Sequence, residues 1–202
     1  MGFDNMPSVE EVIRELRMAL KKDDETLRKE VERIVKKYGK RRRAKGDFEI
    51  KKGQAYYVNE KKPKYTRRIF GQILDRGLDG LYISRSNPQD LEFYGYEGAN
   101  IYWLTSMKGE GRVDPRDLTQ IQTVILKFIR SHQGGVVAIE GLETMITNTG
   151  FLKVLQFLQR VRDIISENHG ILIISIDLDT LSSQDRALLK REIINEIPVK
   201  RP

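Results

Sequence analysis

The chain has 202 residues, 39% hydrophobic and 32% charged, with 36 Lys and Arg against 29 Asp and Glu for a net charge of +7. That balance fits a soluble chain with one full core and an appended segment, and no apolar run approaches the roughly 20 residues of a membrane span. The absence of cysteine excludes disulfides, thiolate metal sites and cysteine nucleophiles, and His132 and His169, near glycines at expected helix ends, are a poor basis for a zinc site.

The opening MGFDNMPSVEEV lacks the apolar stretch of a signal peptide, so a cytoplasmic location is expected. Ser8 followed by Glu11 is a capping-box pattern, and Val9, Val12, Ile13, Leu16, Ala19 and Leu20 recur at helical spacing. A second helix follows, with Leu27, Val31, Ile34, Val35 and Tyr38 on one face and Gly39 placed to end it. Two short amphipathic helices must bury their stripes on each other, on the rest of the chain or on a partner. Residues 1–46 therefore read as a helical extension with a basic linker, and 47–202 as the main domain.

From Asp47 the pattern alternates. Strands are expected at Gln54–Val58, Gly80–Ser84, Ile101–Thr105, Val136–Glu140 and Ile171–Ile176. Helices are expected at Tyr65–Leu74, from Pro88, from an Asp114 N-cap with Pro115 at the first helical position to about Arg130, from about Gly150 to Asn168, and after Ser182. Near-continuous apolar strands between amphipathic helices imply an α/β domain with a mostly parallel sheet covered on both faces, its default binding edge at the carboxyl ends of the strands.

Charge is concentrated in two places. Lys36, Lys37, Lys40, Arg41, Arg42, Arg43 and Lys45 form a tract with no acid and with Tyr38 inside it. Lys61, Lys62, Lys64, Arg67 and Arg68 form a second cluster around Tyr65. The plain reading of the first is a solvated linker held extended by like charges; the functional one is polyanion binding, since arginine offers a forked donor to phosphate and a plane for stacking. Tyr38 and Tyr65 could serve as stacking rings or as packing under their helices.

The second cluster lies in Asn59 to Thr66, between a strand and a helix, where a nucleotide-binding protein carries its phosphate loop. That loop, G-x-x-x-x-G-K-[ST], needs glycines so that backbone N–H groups can wrap phosphate, and a lysine at its seventh position. Here the glycines are missing, the seventh residue is Tyr65, and only Thr66 matches. Thr66 is thus expected to matter only as a helix cap.

The last strands add Glu140-Gly141-Leu142, Gly150-Phe151 and the run from Asp177 to Ser182. In this order, over about residues 50 to 195, the series resembles an uncharacterised archaeal family of degenerate KaiC-like, and so RecA-like, domains lacking a phosphate loop. The resemblance implies a trimmed RecA-like fold, with Glu140 where such domains hold magnesium and where this family more often has aspartate. Without the phosphate-reaching lysine and the wrapping backbone, phosphoryl transfer loses most of its acceleration. The plain reading of Glu140, Glu143, Asp177 and Asp179 is helix capping and loop solvation.

The expectation is therefore a non-enzymatic protein with no catalytic residues, metal or cofactor. It would bind ribosomal RNA or a ribosomal subunit through the two basic clusters and act as a homodimer, since KaiC-like and RecA-like domains commonly assemble. Its architecture resembles an archaeal ribosome-dimerisation factor. The alternative is a regulatory protein-interaction module whose basic run is only a linker. DNA binding ranks below both, because the basic residues follow the second helix instead of lining one face of a recognition helix.

Overall fold

The computed structural model describes Thr26, Lys29 and residues 49–199 apart from 92, 93 and 97. The chain divides into two compact units, Met1–Gly46 and Asp47–Pro202. In the first, Thr26 and Lys29 are helical and exposed; Lys36, Lys37, Lys40, Arg41, Arg42, Arg43 and Lys45 lie outside the described residues.

The second unit is an α/β domain built on a seven-stranded, entirely parallel sheet. Its strands are β1 (Gln54–Asn59), β2 (Gly80–Ser84), β3 (Asn100–Leu104), β4 (Arg112–Val113), β5 (Val136–Ile139), β6 (Ile171–Ile176) and β7 (Asn195–Glu196), in the order β4-β3-β2-β5-β6-β1-β7. The described helices are α1 (Lys64–Leu74), α2 (Pro88–Leu91), α3 (Leu118–Ser131), α4 (Leu142–Thr149), α5 (Phe151–Glu167) and α6 (Ser183–Glu192), with a 3-10 turn at Leu178–Thr180.

Strand alternation divides the core between two layers. Tyr56, Val58, Tyr82, Ala138 and Ile173 meet Ile69, Phe70 and Ile73 of α1 and Leu91 of α2 on one face. Tyr57, Ile83, Ile139 and Ile174 meet α3, α4, α5 and α6 on the other. Connections stepping toward β4 put their helices on the first face and those stepping toward β7 on the second, as right-handed crossovers require. Loops leaving adjacent strands therefore diverge at β2/β5 and again at β6/β1. These are the switch points where open parallel sheets form crevices.

Three elements escape the sequence patterns: β4, β7 and α4. The two-residue strands are too short for periodicity, and α4 is set off from α5 only by Gly150 at φ 89. The Asp114–Pro115 helix start is corrected. The cap of α3 is Asp117, which accepts from the Gln120 N–H at 2.8 Å. Asp114 is instead engaged by Arg116, through its backbone N–H at 2.9 Å and its guanidinium at 2.7 Å. Ser182 does cap α6, accepting from the Asp185 N–H at 3.1 Å. No described helix is long and apolar enough to cross a membrane.

Candidate functional site

Glu60, at the carboxyl end of β1, closes the start of α1. The N-cap of that helix is Pro63, which makes no side-chain cap bond, and the first turn has no acid of its own. Its orphan N–H groups turn back to Glu60. One carboxylate oxygen accepts from Tyr65 N at 2.8 Å, and the other accepts from Thr66 N at 3.1 Å, Thr66 Oγ1 at 2.6 Å and Ser175 Oγ on β6 at 3.1 Å. A helix N-terminus favours an anion because its N–H groups are unsatisfied and its dipole is positive there. In this chain the anion is a side chain of the same loop.

Thr66 is accordingly fully buried. The expectation that it matters only as a cap is corrected, because it stands two residues past the first helical position and its hydroxyl fastens the loop acid. No local spacing rule announces this, though an acid-free first turn with one glutamate just upstream is a usable signal.

Glu140 follows β5 directly and lies on the α1 face, as Ala138 does two residues before it. It is 3% exposed. The register pairing Ile83 with Ile139 brings Ser84 opposite it, and Tyr82 reaches it from the same face of β2. One carboxylate oxygen accepts from Arg67 Nη2 at 2.8 Å and from Ser84 Oγ; the other accepts from Arg67 Nε at 3.0 Å and Tyr82 OH at 2.8 Å. A carboxylate offers about four lone-pair sites, and all are used. A cation could be held here only by displacing Arg67. The plain reading of this residue as a solvated cap is thus corrected: Glu140 is one half of a buried ion pair.

Arg67 is held from several sides. Its side chain is 13% exposed, its Nη2 also donates to Ser86 Oγ at 2.6 Å, and its guanidinium lies 5.3 Å from the Tyr94 ring centroid. Burial works against its charge, but the hydrogen bond and charge of Glu140 outweigh that and hold its pKa above the ordinary value. Burial, then the Glu140 charge, push the Tyr82 phenol well above its usual range.

The remaining members of the second basic cluster face outward. Lys61, Lys62, Lys64 and Arg68 are exposed, and the three lysines form no ion pair among the described residues. Arg68 lies 5.6 Å from the centroid of Tyr65, which ties that ring to its own helix. So the cluster splits: four cations face solvent and Arg67 is spent on Glu140.

Of the other strand-end acids, Glu143 accepts from Asp177 N at 2.8 Å, joining α4 to the end of β6. Asp177 caps the 3-10 turn through Asp179 N, and Asp179 pairs with Arg186 at 3.5 Å. Asp177 is thus the cap that its plain reading expects and Asp179 faces solvent, whereas Glu143 is neither cap nor solvated but ties two elements together. Among the described residues no group of three or more His, Asp or Glu is placed to hold a metal ion.

Between these acids lies a cleft of ≈ 270 Å³ bordered by Glu60, Lys61, Arg85, Glu140, Gly141 and Ser175. It spans both switch points yet is smaller than the roughly 300–1,000 Å³ of common ligand pockets. Gly141 borders it at φ 90, where a Cβ would fall 2.4 Å from Arg85 Cγ, so only glycine fits this turn.

A family model described as "Protein of unknown function (DUF835)" matches residues 59–193, from the end of β1 through α6. A search of curated proteins finds no match.

Proposed function

The chain belongs to the DUF835 family, and from that premise we propose that it is a non-enzymatic RNA-binding factor that acts on a ribosomal subunit as a cytoplasmic homodimer. The domain is read as a degenerate KaiC-like, RecA-like unit of archaeal type, with the turn from β1 to α1 and the acid after β5 as its surviving landmarks. Two copies, each with a basic tract, would bridge or silence ribosomal particles. Linking two contacts raises apparent affinity by roughly 10²- to 10⁴-fold when both can be reached at once.

One observation carries the reading: the split within residues 60–68. Glu60 fills the α1 N-terminus and Arg67 neutralises Glu140, which argues against a phosphoryl-transfer site. Lys61, Lys62, Lys64 and Arg68 remain exposed at the same edge, which supports a polyanion contact. The tract Lys36, Lys37, Lys40, Arg41, Arg42, Arg43 and Lys45 adds at its centre three consecutive arginines, the side chain that forked phosphate recognition favours.

Sedimentation of cell lysate through a sucrose gradient tests it. The protein should travel with ribosomal particles at low salt and be released between about 50 and 200 mM, as several phosphate contacts require. Changing Arg41, Arg42 and Arg43 to alanine should abolish co-sedimentation while the oligomeric state is kept. Protein that stays at the top of the gradient at low salt refutes the ribosomal role. Salt-insensitive association would indicate the alternative, a regulatory protein-interaction module.

A further inference from the structure

Trp103, the single tryptophan of the chain, sits in β3 and packs into neither hydrophobic layer among the described residues. Its neighbours do: Ile101 packs on one layer, Tyr102 on the other, and Leu104 is fully buried. The reason is local. On the face that Trp103 shares with Ile101, the cover among the described residues is α2, a helix of four residues, with Tyr94 and Tyr96 after it, and the strand beyond is the two-residue β4. The largest apolar side chain of the protein is left partly exposed.

The ring is nevertheless fixed. Its Nε1 donates to Arg85 O at 3.1 Å, and Arg85 Nη1 donates to Leu104 O at 2.5 Å. Arg112, the β4 residue in register with Trp103, lays its guanidinium 5.4 Å from the ring centroid and donates to Lys108 O at 3.1 Å. Arg112 thus lies over the ring and the Arg85 backbone holds its edge, while the loop from β3 to β4 carries exposed Lys108 and the single acid Glu110. Arg85 also borders the cleft that Lys61 borders from the other side. From β3 to β1 is four strand spacings, roughly 19 Å.

We infer that Trp103 is a stacking platform for an unpaired base of single-stranded RNA, with Arg112 over one face of the ring and the base on the other, and with Lys61, Lys62 and Lys64 contacting phosphates further along the same strand. An aromatic ring accepts any base, and a ring already held by a hydrogen bond loses little freedom on binding. Cations flanking an aromatic surface suit a nucleotide, in which a base alternates with phosphate. This inference rests on the RNA-binding reading above and adds the residue that meets the base.

The test uses the full chain and a short fluorescein-labelled oligouridine, with anisotropy reporting binding and an unlabelled copy quenching tryptophan emission. All tryptophan emission comes from residue 103, so quenching reports that ring alone. Saturable binding should quench it. Trp103→Ala should weaken affinity roughly 5- to 150-fold at unchanged salt slope, because a stack and not a phosphate contact is lost. Trp103→Phe should retain most of the affinity, and the circular dichroism of both variants should match the parent. Saturable RNA binding with unchanged emission, or a Trp103→Ala variant that binds like the parent, overturns the stacking role and leaves RNA binding standing. No anisotropy change at low salt overturns the stacking role, and co-sedimentation with ribosomal particles then decides the RNA-binding reading separately.

Discussion

Arg67 and Arg68 are adjacent in sequence and differ in every physical respect that matters. A helix turns about 100° between neighbours. That rotation sends Arg67 onto the buried carboxylate of Glu140 and leaves Arg68 on the surface beside Tyr65. The same division separates Glu60 and Thr66, locked together under the first turn, from Lys61, Lys62 and Lys64 above it. A count of basic residues treats the cluster as one object, whereas the fold makes it two, a closed interior and an open cationic rim.

The sharpest way to break this comparison is to remove Arg67. Arg67→Ala leaves Glu140 buried with no countercharge, and breaking such a pair costs about 3–5 kcal/mol. Urea unfolding should show that loss, and adding Glu140→Gln should recover part of it, because the remaining acceptor is then neutral. A midpoint unchanged by Arg67→Ala would mean the pair is not formed in solution.

Next is the Glu60 cap. Thr66→Val keeps the volume but removes the hydroxyl that donates to Glu60, and Glu60→Ala removes the acceptor from the α1 N-terminus. Each should destabilise by about 0.5–2 kcal/mol, the usual range for a lost helix cap. The double variant should lose less than the sum of the two, since both remove the same bond. Additive losses would show that the two side chains act separately.

The rim should respond oppositely. Changing Lys61, Lys62 and Lys64 together to alanine should shift stability by no more than about 0.5 kcal/mol per site. It should weaken binding to RNA and flatten its salt dependence. Equal stability loss in rim and interior would erase the distinction.

The smallest effect is in pH. Tyr82 is raised by burial and then Glu140, and Tyr57 by burial and then its hydrogen bond to Glu196, which lies at 2.6 Å. Groups whose folded pKa is raised lend stability that is complete below the unfolded value, about 10 for tyrosine, and lost as pH rises toward the folded value. Above that pH the unfolded chain gives up protons that the folded chain keeps, so thermal stability should begin to fall. Tyr57→Phe should make the fall shallower.

Much of this architecture was readable from the chain alone. The expected strands Gln54–Val58 and Ile171–Ile176 hold apolar runs, Ala55–Val58 in the first, that are buried on both faces, and α5 places Val154, Phe157, Leu158, Val161 and Ile165 along one buried stripe. Elements of that length carry their periodicity with them. Asp114 misled because a proline after an aspartate marks a helix start only when the aspartate is free to cap, and here Arg116 holds it.

The sequence by itself determined the alternation of strands and helices, the parallel sheet and the carboxyl edge as the place to look, because these follow from local hydrophobic period and from the hand of crossover connections. It also determined that the phosphate-loop glycines are missing. Only the tertiary structure decided what took their place. Arg67 meets Glu140 across 73 positions of sequence, and Ser175 reaches Glu60 across 115. Such contacts depend on strand order, and a charge is committed to the interior or left to solvent only once the fold has chosen its neighbours.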